Sequence, residues 1–110
     1  MIEETLSSLV ERFNRHSDRT PAVQEELKGV ERTIAIRFRD DGSYAVDLKA
    51  GHLQNLRSQP PAKADLTITT DQATFEGLVK REIGPMKALA TRRLSLDGSL
   101  EDKILLRRLL

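Results

Sequence analysis

The spacing of apolar positions along this 110-residue chain changes period several times, and each change marks an element. Ile2, Leu6, Leu9, Val10 and Phe13 recur at helical intervals and draw one clean apolar stripe. His16 to Arg19 breaks the stripe, and Thr20-Pro21 offers a cap and a first-turn proline for a short helix holding Val23 and Leu27 and ending at Gly29. The period then shortens to two. Ile34, Ile36 and Phe38 alternate with Ala35, Arg37 and Arg39, and Tyr44, Val46 and Leu48 repeat the pattern after Asp41-Gly42, a hairpin signal that calls for positive φ at both central residues. Residues 51–57 read as a weaker strand, and residues 59–63 as a loop.

The second half is denser. Leu66-Thr67-Ile68-Thr69 alternates as a strand, and Thr70-Asp71 supplies a helix cap. Phe75, Leu78 and Val79 share a helical face, Gly84-Pro85 ends that helix and starts another, and Met86, Leu89 and Ala90 repeat the spacing. Leu94-Ser95-Leu96 alternates again, and Asp97-Gly98 turns into a terminal helix. Leu105, Leu106, Leu109 and Leu110 form one face of that helix, with Leu100 and Ile104 roughly opposite. These elements predict an α+β domain spanning residues 1–110. Its five-stranded, mostly antiparallel sheet is covered on one face by helices, with an apolar cavity between helices and sheet. The expected inward set is Ile34, Ile36, Phe38, Tyr44, Val46 and Leu48, continued by Leu66, Ile68, Leu94 and Leu96.

Composition narrows the chemistry. At 38% hydrophobic and 32% charged residues the chain is ordinary globular protein, with no cysteine for a disulfide or a thiolate site. His16 and His52 stand apart with no metal-ligand spacing, and the seven serines include no G-x-S-x-G elbow. No phosphate-binding glycine loop is present, so neither side-chain catalysis nor a cofactor is expected. The acidic N-terminus is unlike a signal peptide, no apolar run approaches about 20 residues, and Arg108-Leu109-Leu110 is no peroxisomal address, which makes a cytoplasmic protein the expectation.

The net charge of +1 is unevenly spread. Residues 1–79 hold ten basic against thirteen acidic side chains, whereas residues 80–110 hold eight against four. Arg92, Arg93 and Arg107 in this basic third are candidates for transient contact with an anionic membrane surface. Nucleic acid is not an expected partner, since there is no Trp, one Tyr and three Phe to stack on bases.

The order Ala64-Asp65-Leu66-Thr67-Ile68-Thr69, then Asp71 with Phe75, then Pro85-Met86-Lys87-Ala88, Leu94-Ser95-Leu96-Asp97-Gly98 and a terminal amphipathic helix resembles the sterol carrier protein family of lipid-binding domains. The upstream hairpin strand from Gly42 to Lys49 is similar as well. The resemblance implies a greasy pocket in place of an active site. Phe38, Phe75, Leu78, Val79 and Ile83 are its candidate lining, together with Met86, Leu89, Ala90, Leu94, Leu105 and Leu109. Members of that family often carry glycine where this chain has Arg81 and Arg92, and aromatics where it has Leu89 and Ala90. Smaller groups at those two positions favour a flexible acyl chain over a flat sterol. The expected function is therefore burial of a fatty acyl chain or other lipid, for transfer or storage. The alternative is a structural module pairing with a partner, or as a homodimer, through its Leu-rich terminal helix.

Overall fold

Five strands and five helices form in the order the periodicity predicts, in a computed structural model that describes residues 2–59, 61 and 63–109, with side chains through Leu105. The first stripe becomes α1 (Ile2–Arg19), which buries Ile2, Leu6, Leu9 and Phe13 on one side. Pro21 starts α2 (Pro21–Glu26); Thr20 occupies the N-cap, but its side chain makes no capping bond. The strands β1 (Glu31–Phe38), β2 (Ser43–Lys49) and β3 (His52–Arg57) form an antiparallel meander. β4 (Leu66–Thr70) then crosses back to lie parallel to β1, and β5 (Ser95–Gly98) pairs antiparallel with β4. The sheet order is β3-β2-β1-β4-β5, three antiparallel pairings and one parallel. Between β4 and β5 run α3 (Gln72–Val79) and α4 (Pro85–Ala90), and α5 (Leu100–Leu109) follows β5.

The turns are where local sequence misled. Asp41-Gly42 is not a positive-φ turn. Its hairpin closes through the Asp41 N–H on the Phe38 carbonyl, 3.3 Å, so Arg39 and Asp40 occupy the turn centre. The tight primed turn lies instead at Ala50 (φ 54°) and Gly51 (φ 78°), joining the paired Lys49 and His52. Asp71 does cap α3, accepting the Thr74 N–H at 2.8 Å and the Thr74 hydroxyl at 3.0 Å. Burial pushes its carboxyl up, but those two hydrogen bonds with the charges of Arg39 and Arg93 outweigh it and hold it below its ordinary value.

Helices α3 and α4 both end on a left-handed residue. After α3, the Arg81 N–H reaches the Leu78 carbonyl and the Glu82 N–H the Gly77 carbonyl; after α4, Arg92 and Arg93 do the same with Leu89 and Ala88. These are Schellman closures, and the left-handed positions are Arg81 (φ 63°) and Arg92 (φ 61°), where glycine is the usual occupant. The expected inward residues lie against α1 and α3, with Phe38 stacking edge-on to Tyr44 (5.7 Å) and to Phe75 (5.5 Å). Leu96 is only half-buried at the β5 edge. Asp102 of α5 bonds Arg32 Nε at 2.7 Å, tying the last helix to β1.

Candidate functional site

Hydrocarbon alone lines a cavity between α1 and the sheet. Leu6, Leu9 and Val10 roof it from α1; Ile34, Ile36, Val46 and Ile68 form its floor; Leu53, Leu56 and Phe75 close its sides. Its free volume is about 30 Å³, room for little more than a single water and far below the ~300–1,000 Å³ of ordinary ligand pockets. With no polar partner inside, water gains nothing there.

A bulge shapes the β3 wall. Leu53 and Leu56 are three residues apart, and a regular strand would send them to opposite faces. The pairing of β2 with β3 shifts by one residue between Ala45 and Asp47, and Asn55 sits at φ 57°, so the extra residue turns Leu56 back to the face of Leu53. Polar bonds lock the bulge. Asn55 Nδ2 donates to Asp47 Oδ2 at 3.1 Å, and Arg57 donates to the Asn55 carbonyl at 2.8 Å and to Asp47 Oδ1 at 3.3 Å.

Outside Leu56 lies a polar depression of about 240 Å³, lined by Glu3, Ser7, Tyr44, Leu56, Arg57 and Ser58. The Tyr44 hydroxyl is 3.0 Å from Glu3 Oε1, to which it donates, and 3.5 Å from Asp41 Oδ2. Burial, reinforced by those carboxylates, raises the phenol to about 12, so it stays protonated.

The candidate residues are divided among several environments. Phe75 lines the cavity. Phe38, Leu78, Val79 and Leu94 are buried core, and Ile83, Leu89 and Leu105 pack half-buried against it. Met86 is 78% exposed and Ala90 is also exposed, so the structure turns both to solvent and not toward the cavity. Met86 lies in the first turn and Ala90 at the end of the six-residue α4, whose Ala88 alone is buried. Ile83 lines a separate polar groove of about 350 Å³ with Glu82, Gly84, Lys87, Thr91 and Arg93. The side chains of Leu109 and Arg107 lie outside the described residues. Among the described residues an apolar cavity lies beneath α1; the α5 side chains beyond Leu105, part of the expected lining, lie outside them. Sequence reading assigned Leu6, Leu9 and Val10 to an ordinary core stripe and passed over Leu53 and Leu56; their odd spacing was the available signal. Arg92 and Arg93 are exposed, with their carbonyls accepting Arg39 at 3.4 and 3.3 Å.

Among the described residues no cluster of three His, Asp or Glu could hold a metal ion, and no helix is long and apolar enough to cross a membrane. The SCP-2 sterol transfer family model matches residues 11–110. Comparison with curated proteins finds no sequence match. Among solved structures, the stereoselective inverting sec-alkylsulfatase from Pseudomonas sp. is similar at TM-score 0.65 and 24% identity over 78% of this chain, which spans only 13% of that enzyme. Sterol carrier protein 2 like 2 from Aedes aegypti matches at TM-score 0.63 and 15% identity, over 94% of this chain and 96% of that one. A possible sterol carrier protein from Thermus thermophilus matches at 0.59 and 20%, over 88% and 74%. These likenesses establish a shared fold, and the family match covers nearly the whole sequence. The chain belongs to the SCP-2 sterol transfer family.

Proposed function

We propose that this protein is a non-catalytic carrier that takes the hydrocarbon chain of a lipid into the cavity beneath α1. The observation that carries this reading is a space walled by ten apolar side chains in a protein of a sterol-transfer family. Removing apolar ligand surface from water supplies ~25 cal/mol per Å², which is the driving force. The small free volume means that uptake requires α1 to move off the sheet. A flexible acyl chain can enter as the roof lifts, whereas a rigid sterol needs most of its volume at once. Displacement of a neutral fluorescent lipid probe tests this: hexadecanol, a flexible chain with the same hydroxyl head as cholesterol, is expected to compete more strongly than cholesterol, and the reverse order refutes the preference for a flexible chain. Val10→Trp, which fills the space from α1, is expected to abolish probe binding.

Strand directions put Arg57, Tyr44 and Arg93 at one rim of the sheet, with the β3 and β5 edges roughly 19 Å apart at about 4.8 Å per strand. This common rim supports a transient approach to anionic bilayers through Arg92 and Arg93, with Arg107, whose side chain lies outside the described residues, tested alongside them. Changing all three to Glu should abolish sedimentation with phosphatidylglycerol vesicles at low salt; equal binding by the variant removes the arginines from the mechanism. A second reading, self-association through α5, rests on Leu100 (73% exposed) and Ile104 (54% exposed), one turn apart. Sedimentation equilibrium of wild type against Leu100→Glu/Ile104→Glu decides it.

A further inference from the structure

We propose that the cavity opens at the α1–β3 edge across Leu56, and that this mouth selects an amphiphile with an uncharged, hydrogen-bonding head over one ending in a carboxylate. The inference rests on the lipid-carrier reading above and specifies its ligand. Among the described residues, Leu56 is the one side chain that borders both the hydrocarbon cavity and the polar depression. It is half-buried at the free edge of the sheet, so turning it aside joins the two spaces into one amphipathic slot.

The charges around that slot are unbalanced. Glu3 and Asp41 flank the Tyr44 hydroxyl, which has one proton to give and directs it to Glu3. Arg57 is the sole cation lining the depression among the described residues, and it is engaged by Asp47 and by the Asn55 carbonyl. The depression is thus lined by the Glu3 carboxylate, with Asp41 close behind the Tyr44 hydroxyl, and by a guanidinium already paired with Asp47. A carboxylate head emerging past Leu56 would meet net negative charge without a free cation to receive it. A hydroxyl head meets Ser7 and Ser58, whose hydroxyls both donate and accept, and the Glu3 carboxylate, which accepts.

The test uses the full chain, Nile red as a neutral cavity probe, and dodecanol and dodecanoate as competitors at about pH 8, where the acid is ionised. Dodecanol is expected to displace the probe at a concentration at least about tenfold lower than dodecanoate. Because its lower water solubility alone contributes to that gap, the decisive quantity is the change in the gap in Glu3→Gln and Asp41→Asn. Removing one negative charge should narrow it about threefold to tenfold. Leu56→Trp should slow probe entry and Leu56→Ala should speed it. A gap unchanged in both charge variants overturns the head-group selection. Entry rates indifferent to both Leu56 variants overturn the location of the mouth. A wild-type protein that binds neither probe nor competitor overturns the carrier reading itself, an outcome distinct from the other two.

Discussion

Asn14 and Leu53 exchange two hydrogen bonds: Asn14 Nδ2 donates to the Leu53 carbonyl at 2.8 Å, and the Leu53 N–H donates to Asn14 Oδ1 at 2.7 Å. A side chain on α1 thus stands in for a sixth strand at the open edge of β3, with Asp18 Oδ1 and His52 Nε2 2.6 Å apart one turn further on. The pair pins the C-terminal half of the helix, while Leu6, Leu9 and Val10 roof the cavity nearer its start. If α1 lifts to admit a chain, this is the natural pivot.

Replacing Asn14 with Ala leaves both Leu53 backbone groups without their partner. At about 1 kcal/mol per lost hydrogen bond, urea denaturation should register a loss of ~2 kcal/mol. Asn14→Asp keeps the acceptor and forfeits the donor, so it should fall between the two. A loss below the error of the measurement would mean that water replaces Asn14 without cost.

Asn55 holds the bulge that aims Leu56. Gly tolerates the left-handed conformation and Val does not, so Asn55→Gly should stay within ~1 kcal/mol of wild type while Asn55→Val loses ~2 kcal/mol or irons out the bulge. Ironing it out turns Leu56 outward. Lipid-probe binding should then suffer in the Val variant beyond what its stability explains, whereas Asn55→Gly retains it.

Arg81 and Arg92 occupy left-handed positions that cost a side-chain-bearing residue ~1–2 kcal/mol, partly offset by the greater freedom glycine has in the unfolded chain. Arg81→Gly and Arg92→Gly should each raise stability by ~0.5–1 kcal/mol. The two sites close different helices, so the double variant should be close to additive. A fall in melting temperature in either single variant would mean that the arginine side chain makes up for its backbone.

Asp71 links stability to pH with a definite sign. Its carboxyl titrates lower in the folded protein than its ordinary 3.8, so the native state binds fewer protons and the contribution is complete above that value. It is lost as pH falls through the folded value. Asp71→Ala should cost ~1 kcal/mol at neutral pH, the ordinary worth of a side-chain cap, and the difference from wild type should shrink below about pH 3.8. A difference constant down to strongly acid pH would assign the loss to packing.

Periodicity determined the elements. Five helices and five strands, the inward alternation of β1, β2 and β4, the Asp71 cap and the Pro-started helices follow from side-chain spacing and local backbone chemistry, which act over a few residues. The ordered motifs from Ala64 to Leu109 carried the resemblance to the sterol carrier family, which the family match over residues 11–110 bears out. Only the tertiary structure decided which helix roofs the cavity. An apolar stripe states that a helix must be covered, not by what, so the stripe of α1 and the face of Met86 and Leu89 look alike in sequence. One ends over the sheet; in the other Leu89 packs half-buried while Met86 stands in solvent. The bulge at Asn55 was equally hidden, because a register shift exists only relative to a partner strand. So was the acidic mouth, which assembles Glu3, Asp41 and Tyr44 from three separate segments. Charge counted along the chain showed a basic C-terminal third, but not that folding sets Glu3 and Asp41 beside Tyr44 on the rim of the sheet that also carries Arg93. Electrostatic environment depends on distance in space, and chain order constrains that distance only between near neighbours.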